Sequence, residues 1–147
     1  MVSLLDVNLL VALAWPNHVH HRQALAWFLE NQALGWATCP LTQSGFVRIS
    51  SNPTALPDAK SPQEALLLLR RIVALPHHRF WEDDVSLATS NLVDAKRLTG
   101  YRQVTDLHLV TLALQKGGRL ATIDGKIRSL VPRGYSAQEI VSAIPVD

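Results

Sequence analysis

Short strand-like segments that alternate with segments of helical length constrain this chain more than any other feature. The strand candidates fall at residues 2–6 (VSLLD), 35–40 (GWATCP), 77–83 (HHRFWED) and 119–124 (RLATID). Antiparallel neighbours can be joined by a tight turn, whereas parallel neighbours need a long crossover, usually a helix. The alternation therefore predicts an α/β fold: a parallel sheet with helices on both faces, in three layers. The first strand is expected to end near Asp6, with Pro16-Asn17 as the next punctuation.

The intervening segments carry helix signals. Residues 18–31 (HVHHRQALAWFLEN) place Ala24, Trp27 and Phe28 on one face. Residues 41–51 (LTQSGFVRISS) read as a helix stopped by Asn52-Pro53, because the residue before proline is pushed out of helical geometry. In SPQEALLLLRRIVAL, Ser61 is an N-cap, Pro62 holds the first helical position and Glu64 completes a capping box. Residues 84–98 (DVSLATSNLVDAKRL) are expected to be helical up to Gly100, and residues 105–118 (TDLHLVTLALQKGG) to be capped by Thr105 or Asp106 and ended by Gly117-Gly118. Asp124-Gly125 then turns the last strand into the basic segment KIRSLVPR, and Ser136 with Glu139 marks a capped helical turn near the C-terminus. No repeat or linker interrupts the pattern, so residues 1–147 are expected to form one domain.

Composition narrows the class. With 48% hydrophobic and 18% charged residues, 147 residues can bury a core without staples. No apolar stretch reaches the roughly 20 residues needed to span a bilayer. The N-terminus lacks a basic region, and Asp6 breaks its apolar run, so it is not read as a signal peptide. The single cysteine, Cys39, excludes an intramolecular disulfide and fits a reducing, cytoplasmic setting. A net charge of +2 permits a polyanionic partner, and eight of the fourteen Lys/Arg residues lie from Lys96 onward.

Three acids stand at strand–helix junctions: Asp6 at the end of the first strand, Asp124 at the end of the last and Asp106 at a helix start. Ligands of open α/β sheets bind beyond the carboxyl ends of the strands, so the three can converge there. Each also has an ordinary structural reading, as a turn cap, a helix N-cap and a tight-turn dipeptide respectively. Converging carboxylates raise one another's pKa unless a cation intervenes. Mg²⁺ suits such a site: a hard ion that takes one or two carboxylates, keeps several waters and meets substrate phosphate. No thiolate or imidazole cluster points to zinc. An ion held this way can polarise a phosphodiester, activate water and stabilise developing charge, and a second ion can clamp both reacting oxygens.

The segments LLDVNLLVAL, CPLTQSGFVRI, VTDLHLVTLAL and GGRLATIDG, in this order and spacing, resemble the PIN-domain family, and within it the VapC-type toxins of toxin–antitoxin modules. The resemblance spans roughly Val2 to Arg128. It implies a Rossmann-like PIN fold with a five-stranded, mostly parallel sheet. It further implies an endoribonuclease dependent on Mg²⁺ or Mn²⁺, inhibited by a small VapB-like antitoxin and often a homodimer. Carried over by position, Asp6 and Asp106 are metal-binding aspartates, and Asp124 is the further acid that completes the pocket. The family's remaining acid, usually a glutamate in this stretch, falls on Gln43. An amide there lowers the pocket's negative charge; its oxygen can still accept from a metal-bound water, and its NH₂ adds a donor. The first ion is expected to be least affected and a second to bind less well. An alternative role for Gln43 is a first-turn helix residue bonded to its neighbours.

RNA phosphates beside an acidic pocket need flanking cations, for which Arg48, Arg102, Lys126, Arg128 and Arg133 are the candidates. The histidines at 18, 20 and 21 lack an acid to complete a metal site, His77-His78 reads as a loop pair before a strand, and His108 as a surface residue. Glu82, Asp83 and Asp84 read as strand-end and cap residues, and Asp94 as an exposed partner for Lys96 or Arg97. Trp15, Trp27, Trp36 and Trp81 read as core or interface anchors. Two competing functions remain open. One is a catalytically silent PIN-like module that binds RNA or a protein partner. The other is a different Mg²⁺ phosphohydrolase, although Asp6-Val7-Asn8 lacks the second aspartate of haloacid-dehalogenase-type phosphatases.

Overall fold

The computed structural model describes residues 1–146. Five strands form one sheet: β1 (Ser3–Leu5), β2 (Trp36–Thr38), β3 (His78–Phe80), β4 (Arg119–Thr122) and β5 (Val141–Ala143). Their order is β3-β2-β1-β4-β5 and every pair is parallel, where the family resemblance implied only a mostly parallel sheet. All carboxyl ends therefore lie along one edge. The helices are α1 (Val7–Ala14), α2 (His21–Asn31), α3 (Pro40–Ser50), α4 (Pro62–Val73), α5 (Val104–Gln115) and α6 (Ala137–Ile140). Among the described residues, no helix is long and apolar enough to cross a membrane.

The period of two along each strand divides the core into two layers. Leu4, Ala37 and Leu120 face one way, into a cluster with Leu107, Val110 and Ile127. Leu5, Trp36 and Ala121 face the other way, with Leu9, Phe28 and Phe46. α5 thus covers one face, and α1 to α3 cover the other. The sheet is buried on both sides, so its central strands show no polar alternation.

Several elements depart from the sequence-based expectation. α1 starts directly after β1, with Asp6 as its N-cap. Leu9, Leu10, Val11 and Ala12 are all buried, so no polar face distinguishes this helix from a continuing apolar strand. Residues 84–98 form no α-helix; their one helical piece is the 3₁₀ turn Ala95–Arg97. Side chains there capture backbone donors that a helix would use: Asp83 Oδ1 accepts from Val85 N (3.1 Å), Ser90 Oγ from Leu92 N (3.2 Å) and Asp94 Oδ1 from Lys96 N (3.2 Å). The segment runs as a strap whose Val85, Leu87, Val93 and Leu98 pack on the α5 layer. Gly100 accordingly ends no helix and instead precedes the 3₁₀ turn Tyr101–Gln103.

α5 begins at Val104, so Asp106 lies in its first turn and neither Thr105 nor Asp106 is the cap. Its end matches expectation. Gly117 (φ 68°) donates to the Leu114 carbonyl and Gly118 to that of Ala113, the paired bonds of a Schellman motif. Ser61 caps α4 by accepting from Glu64 N, whereas the Glu64 carboxylate takes the Ser61 hydroxyl and not its backbone N–H. His78 lies inside β3, not in a loop before it. β5 follows the capped turn Ala137–Ile140 and completes the five strands.

α3 crosses α1 closely because Gly45 lacks a side chain: a Cβ there would stand 2.7 Å from Val7 Cγ2. Gly45→Ala should destabilise the protein by about 1–3 kcal/mol through overpacking at this crossing. Adding Val7→Ala should recover part of that loss in urea unfolding, and strictly additive effects would show that the two positions do not meet.

Candidate acidic site at the carboxyl edge of the sheet

Pairing of β1 with β4 brings the first and last acids together. Leu5 is in register with Ala121, and Asp6 N donates to the Ala121 carbonyl at 3.0 Å. The Asp6 carboxylate is 5% exposed. Its Oδ1 accepts from Val7 N at 2.7 Å as the cap of α1, and its Oδ2 accepts from Thr122 Oγ1 at 2.8 Å. Thr122 Oγ1 in turn accepts from Asp124 N at 3.1 Å. One hydroxyl at the end of β4 therefore fixes both acids. Asp124 caps the 3₁₀ turn Gly125–Leu130 through Lys126 N at 3.0 Å, so its carboxylate has a defined orientation as well.

Asp106 is placed by the first turn of α5. It lines a cleft of about 220 Å³ with Arg102, Gln103, Asp124, Lys126, Ile127 and Leu130. Burial, then the charges of Asp6 and Asp124, push its pKa from 3.8 up to about 6. Asp6 is also raised, chiefly by burial and further by Asp124, against the bonds from Thr122 and Val7 that favour its charged form. The charges of the three carboxylates thus act on one another. Among the described residues, the ion pairs are Arg97–Asp94 and His108–Asp83, so none relieves this cluster.

Among the described residues, no three His, Cys, Asp or Glu side chains are grouped tightly enough to enclose an ion alone. A hard cation that keeps several waters and takes one or two carboxylates fits what is present; a closed four-ligand cage for zinc does not. Asp6 retains acceptor capacity, because a carboxylate offers about four lone-pair sites and two are taken here.

Gln43 lies in the first turn of α3, and its side chain reaches back to Thr38 at the end of β2. Its Nε2 donates to Thr38 Oγ1 at 2.9 Å, and Thr38 Oγ1 lies 2.7 Å from His78 Nε2. Thr38 Oγ1 has two acceptor lone pairs, so beside the amide it can donate to the His78 ring or accept from it, as the ring's tautomer sets. Burial pushes the His78 pKa down and favours the neutral ring. Gln43 also lines an open groove between α3 and α4, with Arg48, Val47 and Leu69, separate from the cleft that holds Asp106 and Asp124.

The candidate cations divide by position. Arg102 and Lys126 stand on the wall of the acidic cleft, and Arg48 on the Gln43 groove. Arg128 donates through Nε to the Val141 carbonyl at 3.1 Å, which ties it to β5. His108 turns to Asp83 at 2.6 Å, and Asp94 pairs with Arg97. Trp15, Trp36 and Trp81 are core residues. Thr38 and Thr122 are not singled out by the sequence, and His78 reads there as a loop residue. A signal for the two threonines was present, since β2 and β4 both end in Ala-Thr, in ATCP and ATID.

No protein-family model matches the chain. Among curated proteins it is similar to Ribonuclease VapC38 of Mycobacterium tuberculosis (strain ATCC 25618 / H37Rv), 51% identical over 129 residues, covering 88% of this chain and 89% of that protein. Ribonuclease VapC39 of the same strain is 44% identical over 134 residues, covering 91% and 96%. Ribonuclease VapC44 is 39% identical over 142 residues, covering 97% and 99%.

A carboxyl whose pKa is higher in the fold than its ordinary 3.8 disfavours the charged folded state. Metal-free stability should therefore be fullest below about pH 4, fall as pH rises towards about 6, and then level off. Asp106→Asn should make this slope shallower, leaving the part due to Asp6, and stabilise the EDTA-treated protein at pH 7.5 by about 1–2 kcal/mol, after allowance for screening at a half-buried group. An unchanged or lower denaturation midpoint would contradict the mutual repulsion. Gln43→Glu reverses the Thr38 bond: the carboxylate can only accept, so Thr38 Oγ1 accepts from His78 Nε2–H beside a new negative charge that favours the charged ring. The His78 pKa should rise by about 1 unit in an NMR titration, and an unmoved value would remove Gln43 from this chain of bonds.

Proposed function

This chain belongs to the VapC ribonuclease family, and from that premise we propose that it is a single PIN-type domain that hydrolyses RNA phosphodiesters with Mg²⁺ or Mn²⁺. In this reading it is the toxin of a toxin–antitoxin module, acts in the cytoplasm as a homodimer, and is held inactive by a VapB-like antitoxin. The observation that carries the proposal is the convergence of Asp6, Asp106 and Asp124, where burial and then the charges of Asp6 and Asp124 raise Asp106 to about 6. Such a concentration of negative charge is poorly suited to stability alone and well suited to a divalent ion.

Asp6 and Asp106 would hold the ion, with Asp124 orienting water beside it. When bound, the ion supplies Lewis acidity and a nucleophilic water at neutral pH. The protein's own groups do the rest. Thr122 and the start of α1 keep the Asp6 carboxylate fixed, so it does not reorganise during the reaction. Arg102 and Lys126, at the rim of the cleft, counter the phosphate charge that the acids repel. Gln43 supports β2 through Thr38 and leaves the edge one negative charge short of a glutamate-bearing site. That amide is also what favours the second reading, a silent module that binds RNA or protein without cleaving it.

Purified protein should cleave single-stranded RNA with Mg²⁺ and lose cleavage in EDTA. Asp6→Asn and Asp106→Asn should each lower the rate at least about 100-fold, the scale expected when metal-site chemistry is lost. Cleavage that survives both substitutions would remove these residues from the site. Gln43→Glu should raise divalent affinity more than the maximal rate. RNase activity appearing only in Gln43→Glu would favour the silent module.

A further inference from the structure

A second cleft, of about 380 Å³, has a surplus of basic groups on its walls. It is lined by Asp94, Lys96, Arg97 and Arg133. Each oxygen of the one carboxylate meets a donor of the wall itself: Asp94 Oδ1 accepts from Lys96 N and Oδ2 from Arg97 Nε, both at 3.2 Å. Asp94 therefore acts as a strut that shapes the 3₁₀ turn Ala95–Arg97 and sets the direction of Arg97. Lys96 and Arg133 are both exposed and belong to neither described ion pair. Arg133 is projected by its neighbours: Val131 and Pro132 are buried, and Gly134 (φ 89°) turns the chain immediately afterwards.

One hydrogen bond joins the walls of the two clefts. Arg97 Nη1 donates to the Ser129 carbonyl at 3.4 Å, which docks the strap onto the 3₁₀ turn Gly125–Leu130. Lys126, Ile127 and Leu130 of that same turn line the acidic cleft. Three residues of 3₁₀ helix separate Lys126 from Ser129, about 6 Å along the axis. A strand whose reacting phosphate lies in the acidic cleft therefore meets this cluster within a short step. Three carboxylates repel RNA, so binding must come from cations placed beyond them.

We propose that Lys96, Arg97 and Arg133 form a subsite for a backbone phosphate of single-stranded RNA, next to the phosphate that is cleaved. The inference rests on the ribonuclease reading and extends it to how the strand is held. Arg97 is pre-positioned by Asp94 and Ser129, and Lys96 and Arg133 close around the anion. A contact to an unreacting phosphate binds ground state and transition state alike, so it lowers KM and leaves kcat unchanged.

The test compares wild-type protein, Lys96→Gln/Arg133→Gln and a control, Arg70→Gln/Arg71→Gln, which removes the same charge from α4. Arg97 is left intact because it also holds Ser129. Binding of a labelled single-stranded RNA oligonucleotide is followed by fluorescence anisotropy in EDTA across a salt series, and KM and kcat are measured separately with Mg²⁺. The subsite variant should bind roughly tenfold more weakly, the loss of one charge-assisted contact. Its slope of log affinity against log salt should shrink by about 0.7, the value for one single-strand phosphate. KM should rise with kcat unchanged, and the control should match wild type. If wild type cleaves RNA while the subsite variant keeps its affinity, slope and KM, or loses no more than the control, the subsite is wrong and the ribonuclease reading stands. If wild type neither binds nor cleaves RNA, the ribonuclease reading fails and takes the subsite with it.

Discussion

The hydrogen bond from Thr122 to Asp6 is the contact on which the rest of the site depends. It joins the ends of two neighbouring parallel strands, β1 and β4, at the edge where every strand of the sheet finishes. Asp6 can sit almost fully buried only because Thr122 and the first amide of α1 meet its two oxygens. The same threonine oxygen accepts from Asp124 N, so the geometry of one acid is coupled to that of the other. Two leucines flank this arrangement from opposite faces: Leu4 packs under α5 and Leu5 under α1. The core thus holds the strand ends still, and the strand ends hold the acids.

That order comes with an electrostatic conflict. Hydrogen bonds to Asp6 favour its carboxylate form, while burial and Asp124 disfavour it. Asp106, less enclosed, shows the conflict as a pKa near 6. The fold does not relieve it with an internal cation; the described ion pairs lie on the strap and on α5 instead. The nearest basic side chains, Arg102 and Lys126, stand on the rim, where they face solvent and any incoming polyanion. Negative charge at the centre with positive charge around it is the pattern expected of a site that takes a metal ion and a nucleic-acid strand together.

The parts of this architecture legible in the sequence were those set by local chemistry. Ser61 with Pro62, and Gly117-Gly118 after an apolar helix, are signals that operate within one turn, and both were read correctly. Residues 84–98 were misread because their composition resembles a helix, while Asp83, Ser90 and Asp94 spend their side chains on the backbone, which only the folded strap reveals. α1 escaped notice for the opposite reason, since a helix buried among Leu9, Leu10, Val11 and Ala12 shows no polar face. Asp6, Asp106 and Asp124 are legible as candidates because ligands of α/β sheets bind beyond the strand ends, and the fold brings their charges within reach of one another. The bond of Gln43 to Thr38, which meets His78, is not legible, since it depends on β2 pairing with β3, a contact between residues forty positions apart.

Calorimetric titration with Mn²⁺ in buffers of different ionisation enthalpy tests the central claim most directly, because it counts the protons released when an ion enters. Asp106 is half-protonated near pH 6 and Asp6 is raised as well, so binding there should release protons, about half a proton per ion from Asp106, and that share should vanish by pH 8. Asp106→Asn should lower the release at pH 6 by that share. Binding without proton release at pH 6, or release undiminished in Asp106→Asn, would contradict the account in which a divalent ion resolves the repulsion among these three acids.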